Sequence, residues 1–217
     1  VSAQQTLEAV MKTISMLTLA LILFAGVAAA PAHADLAANP KTAATQAALR
    51  DLWLGHVFWV RNVAMATFAN DATRVKAAEE QVVANAKQIA GAIEPFYGKA
   101  AADKLFTLLA GHWGAVKAQI EATAKGDAKG KDAALKAATA NAEQIATFLS
   151  SANPNLPKNV LTGLLVAHFG HHVAQNQLLK DKKYAEEATV WDAMRRHMYV
   201  IADALGDAIA KQFPAKF

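Results

Sequence analysis

The chain of 217 residues contains no cysteine. That excludes disulfides, thiolate metal sites, iron–sulfur clusters, a thiol nucleophile and covalent c-type haem attachment. The fold must hold together by packing alone. Glycine and proline are scarce, at 11 and 6, and they fall mostly between the periodic stretches. Strand-like alternation is absent, while Ala, Leu, Lys, Gln and Glu, all strong helix formers, dominate. The expectation is an all-α protein.

Charge is thin. The formal net charge of +4 is spread over Lys-rich helix faces, without the concentrated basic stripe that nucleic-acid binding requires. The densest run, Lys125 to Lys136, reads as a solvated turn and helix face. Catalytic signatures are missing as well. There is no His-Glu-x-x-His, no inward Glu-x-x-His pair, no Gly-x-Ser-x-Gly elbow and no phosphate-cradling Gly-rich loop. Nothing in the chain nominates a catalytic residue, and no enzyme activity is expected.

A long hydrophobic run occurs once, after Met11. Lys12 supplies a short basic start, Ile14 to Ala30 is apolar, and Ala32-His33-Ala34 is a small-residue cleavage pattern. This is the order of a secretory signal peptide cut after Ala34, and a periplasmic or secreted location follows from it. Met11 reads as the start and Val1 to Val10 as an upstream extension. Retention of the segment as an N-terminal anchor is the alternative. Residues 35–217 then form one domain with no further membrane span, opened by a flexible leader to about residue 42. Glu8 and Lys12 cancel, so removal of the segment leaves the charge at +4.

What the chain does contain is a period. His56, His112 and His168 stand 56 residues apart, and Asn85, Asn141 and His197 keep the same step. Each histidine lies on an apolar helical stripe: Leu49, Trp53, Val60 and Val63; Leu105, Leu109, Val116 and Ile120; Leu161, Leu165, Phe169 and Leu179. Breaks at Asn70-Asp71, Gly126-Asp127 and Lys180 to Lys183 read as turns, and Glu94 to Gly98 and Ser150 to Pro157 as helix stops. The expected architecture is a six-helix bundle of three hairpin repeats of about 56 residues, near 43–95, 99–151 and 157–213.

Within each hairpin the two recurring polar residues flank the turn almost symmetrically. The spacing predicts a polar layer of His56, Asn85, His112, Asn141, His168 and His197 at one depth. Such a layer has a purely structural reading, in which Asn and His satisfy one another and fix helix register. The third copy departs from the others by adding His171, His172 and His197. His168 and His172 are an i, i+4 pair, the spacing that lets two imidazoles chelate one ion. His197 offers a third nitrogen, with His171, His56 and His112 as alternates and Asn141, Gln175 or Asn176 as supporting partners.

An all-nitrogen set suits Zn, Cu(II) or Ni. Haem held by His with Met65, Met194 or Met198 is disfavoured, because Met on an apolar helix face is usually core filling. Trp53, Trp59, Trp113 and Trp191 likewise read as packing residues, although Trp59 and Arg61 could frame a ligand pocket. The leading functional expectation is a non-catalytic, exported metal-binding protein. Its rival is a structural or interaction protein whose layer only fixes register. A small ligand or protein partner is left open.

The stretches LWLGHVFWVRNVAMATF, NAKQIAGAIEPFYG, NAEQIATFLSSANP and IAKQFP resemble a bacterial family of all-helical proteins without an established function. The resemblance spans most of residues 45–214 and implies the helical fold. In that family an acidic residue precedes the repeated histidines. Here those positions are Gly55, Gly111 and Ala167, so the resemblance implies no carboxylate-assisted role.

Overall fold

A computed structural model of the chain describes residues 39–217. The signal-like segment and its cleavage pattern lie outside the described residues. Among the described residues there is no strand. Six long helices account for nearly all of them: α1 (Pro40–Phe68), α2 (Ala72–Ala92), α3 (Lys99–Lys125), α4 (Ala128–Ala152), α5 (Lys158–Lys180) and α6 (Tyr184–Gln212). A single helical turn, Glu94–Tyr97, joins α2 to α3, and a 3-10 turn, Pro214–Lys216, closes the chain. No helix among the described residues is long and apolar enough to cross a membrane.

The helix ends follow local chemistry. Asp71 and Asp127 cap α2 and α4 by accepting the backbone N–H groups of Arg74 and Gly130 at 2.9 and 3.0 Å. Asn39 caps α1 just ahead of Pro40, where a missing N–H costs nothing. The turns after α1, α3 and α5 each pass through a left-handed residue: Asn70 at φ 56°, Gly126 at φ 69° and Lys182 at φ 57°. Only Gly126 occupies that region without a Cβ penalty.

Chain neighbours are also space neighbours. Every consecutive helix pair packs together, and α6 returns to pack along α1, which closes the ring. The helices α1, α3 and α5 also touch one another. They form an inner triangle, with α2, α4 and α6 each seated between two of them.

The core is divided along its length. Towards the termini lie Leu49, Trp53, Leu105, Leu109, Leu161, Leu165, Ile201 and their neighbours. Towards the three left-handed turns lie Val60, Val63, Val116, Ile120, Phe169 and Leu179. The histidines sit between these apolar groups. Met194 and Met198 are core residues packed with Trp53, whereas Met65 is exposed.

Candidate metal centre

Four histidines converge at the centre of the inner triangle. His56, His112 and His168 come from α1, α3 and α5, with ring centroids 5.9, 5.6 and 5.4 Å apart around the triangle. His172, one turn further along α5, lies 4.5 Å from His168 and 6.2 Å from His56. One ligand nitrogen from each of the four lies within 4.8 Å of the others. All four side chains are buried.

Burial fixes their charge. Desolvation first, and the neighbouring His112 second, lower the pKa of His56 from 6.5 to about 3. Desolvation lowers His112 to about 4. His168 and His172 are pushed well below the ordinary value by burial and then by the surrounding imidazoles. All four rings are neutral near pH 7, which is the form that ligates a metal.

Their hydrogen bonding is incomplete. His172 and His168 meet Nε2 to Nε2 at 3.2 Å, one donating to the other. His56 Nε2, His112 Nε2 and His168 Nδ1 have no protein partner. A buried polar atom left unpaired costs about 1–3 kcal/mol. A register-fixing layer is expected to avoid that cost, whereas a ligand set presents free lone pairs by necessity.

The asparagines act on the backbone instead of the imidazoles. Asn85 Nδ2 donates to the carbonyl of Leu52, and Asn141 Nδ2 to that of Leu108, both at 3.0 Å. By α-helical geometry these carbonyls also receive the N–H groups of His56 and His112. Each asparagine therefore pins the turn that carries a histidine. His197 does the same in the third position, where its Nε2 donates to the Leu164 carbonyl at 2.9 Å.

That role keeps His197 out of the group of four. It lies beside His171, with ring centroids 5.4 Å apart. Of the set read from the sequence, His168 and His172 come together with the alternates His56 and His112, while His197 and His171 form a separate pair. Two other residues named from the sequence lie nearby on α5. Gln175 donates to Glu187 at 2.7 Å, and Asn176 is buried with its Nδ2 unpartnered.

The glycines ahead of the histidines have a steric explanation. A Cβ at Gly55 would stand 3.0 Å from Asn85 Nδ2, and one at Gly111 would stand 2.9 Å from Asn141 Nδ2. The missing side chain is what lets the amide reach its carbonyl. At the equivalent place before His168 the residue is Ala167, and the side chain that bonds the backbone of that turn is His197. This pairing of small residue with partner length was visible in the sequence, as Gly with Asn twice and Ala with His once.

Sequence reasoning missed a buried ion pair. Glu187, 1 % exposed, accepts two bonds from Arg61, at 2.7 and 2.6 Å, and a third from Gln175. Arg61 also stacks on Trp191, 5.1 Å from the ring centroid. Arg61 is thus committed to the fold and does not frame a ligand pocket with Trp59. Nothing in a lone Glu near a helix start announces this partner, which comes from a residue 126 positions away.

Comparisons with family models, with curated proteins and with solved structures found no match to this chain. The likeness of the His-x-x-Trp-x-Arg and Asn-Ala-x-x-Ile-Ala stretches to a bacterial helical family therefore rests on those segments alone.

A metal–nitrogen bond of about 2.0–2.1 Å in tetrahedral coordination sets nitrogens roughly 3.3 Å apart. The His168–His172 pair already stands at that separation, at 3.2 Å. The ligand nitrogens of all four rings lie within 4.8 Å of one another.

Proposed function

We propose that the protein is a non-catalytic binder of a divalent transition-metal ion, held by His56, His112, His168 and His172. The observation that carries this reading is the set of four buried neutral imidazoles with ligand atoms within 4.8 Å, two of them with unpartnered Nε2 atoms. Four nitrogens and no carboxylate suit Zn, Cu(II) or Ni. The asparagine and His197 bonds to the backbone support the reading by pinning the helical turns that present the ligands. We further read the bundle as three hairpins of one repeated unit. The polar bonds that span 33 residues in each hairpin and the recurring left-handed turn residues support it. The signal-like segment of the sequence supports a periplasmic or secreted location for this activity.

The second reading is a structural or interaction protein, and the His168–His172 hydrogen bond favours it, because those two Nε2 atoms are paired without an ion. Metal analysis and thermal melting of the protein purified without a histidine tag decide between the two. Bound metal, or stabilisation by Zn, Cu or Ni that is lost in His56→Ala, supports the metal centre. A protein that carries no metal and gains no stability from any of the three leaves only the structural reading.

A further inference from the structure

The bundle end nearer the chain termini holds a cavity of about 50 Å³ directly beside the histidines. It runs between the inner and outer helices, and its walls are apolar residues such as Leu105, Leu109, Leu165, Phe148 and Ile201. His112 and His168 border it on the side of the cluster. At the far rim stand Tyr97 and Asn153. These two close a polar seal: Asn153 donates to the Tyr97 hydroxyl at 2.9 Å, Tyr97 donates to Gln212 at 2.8 Å, and Gln212 donates to the Ala152 carbonyl at 2.9 Å.

Size and polarity limit what this space accepts. Water needs two to four polar partners to remain in a cavity, and apolar cavities stay dry. An ion is excluded more strongly by the same desolvation. A cavity of about 150 Å³ admits benzene, so one about a third as large excludes rings and drug-sized molecules. A neutral molecule of a few atoms fits. The location adds a second constraint, since the polar groups along the inner wall are those of His112 and His168 and the indole of Trp53.

We propose that this cavity is a binding site for a neutral diatomic gas, the class of dioxygen, nitric oxide and carbon monoxide, which it holds beside His112 and His168. The inference rests on the metal-centre reading only for what the gas meets there, because the cavity exists in the metal-free chain. The hydrogen-bonded Tyr97, Asn153 and Gln212 stand at the rim, and the apolar walls concentrate gas relative to solution. A bound ion would then be approached by small uncharged ligands from this side and by nothing larger.

The test is methyl NMR of the metal-free protein under xenon pressure and, in parallel, under dissolved dioxygen. The expected result is a saturable xenon shift of the Leu109, Leu165 and Ile201 methyls, and paramagnetic broadening of the same signals by dioxygen. Leu165→Phe should weaken xenon binding about tenfold while circular dichroism shows the helices intact. If these methyls do not respond, or respond no more than methyls such as Val60 and Leu179 at the other end, the proposal is overturned. Failure of the protein to bind metal leaves this experiment unaffected, so the two readings fail separately.

Discussion

His168 and His172 bring their Nε2 atoms to 3.2 Å, one helical turn apart on α5. Two neutral rings at this distance share one proton between them. That arrangement pairs the two Nε2 atoms when no ion is present, and an ion between them would need the shared proton only to shift to the donor ring's Nδ1. The buried Nε2 atoms of His56 and His112 have no such relief. An ion at the cluster would supply partners to all four rings at once.

Ligand binding should be selective by position. With free metal about a hundredfold above Kd, binding adds about 2.7 kcal/mol, or roughly 5–10 °C in Tm for a domain of this size. The shift should vanish in His56→Ala and in the His168→Ala/His172→Ala double variant, and it should persist in His197→Ala. Persistence in His56→Ala would remove that residue from the ligand set.

Acid should unfold the metal-free protein early. The four folded-state pKa values lie below the unfolded value of about 6.5, His56 at about 3 and His112 at about 4. Above 6.5 both states are neutral and stability is full. Below it the unfolded chain binds protons that the folded chain refuses, so stability falls by about 1.4 kcal/mol per pH unit for each buried ring. The fold, worth about 5–15 kcal/mol in total, should be lost cooperatively before about pH 4. Circular dichroism across an acid titration measures this, and a stability unchanged from about pH 7 to 5 would contradict it.

Metal uptake should release almost no protons. Exposed imidazoles are mostly protonated at about pH 5.5 and would have to shed protons to bind. The four buried rings are already neutral there. Calorimetric titration at that pH, in two buffers of different ionisation enthalpy, should give the same heat in both.

The effect of Gly111→Ala should change sign with its neighbour. In the native chain the new Cβ stands 2.9 Å from Asn141 Nδ2 and displaces the amide from Leu108, at a cost of about 1–3 kcal/mol for the orphaned group. That exceeds the gain of up to about 1 kcal/mol from replacing a mid-helix Gly by Ala. In an Asn141→Ala background only the gain remains. A double-mutant cycle by urea unfolding reads the coupling directly.

Arg61→Ala should destabilise by about 3–5 kcal/mol, because it leaves the Glu187 carboxylate buried without its cation. The Arg61→Met/Glu187→Met pair should recover much of that loss. Equal stability of Arg61→Ala and the wild-type protein in urea would show that water reaches the carboxylate.

Much of this was legible along the chain. The 3–4 spacing of Leu49, Trp53, Val60 and Val63 revealed an inward face, and the 56-residue step marked His56, His112 and His168 as residues at one level. Position along a helix axis follows from sequence separation at a fixed rise per residue, and this is why the three rings do share a level. The destination of His197 was not legible in this way. Its position matches Asn85 and Asn141, which bond to the backbone of the turn, so it follows their role and spends a nitrogen on Leu164. Spacing alone gave it no reason to prefer a carbonyl over an ion.

The sequence by itself determined the helices, their ends and the depth of each polar residue, because these depend on local propensity, capping and helical rise. Only the tertiary structure decided which rings meet. Convergence of His56, His112, His168 and His172 depends on α1, α3 and α5 facing one another across the centre while α6 packs outside them. That choice is made by the packing of whole helices, and no spacing within one helix encodes it.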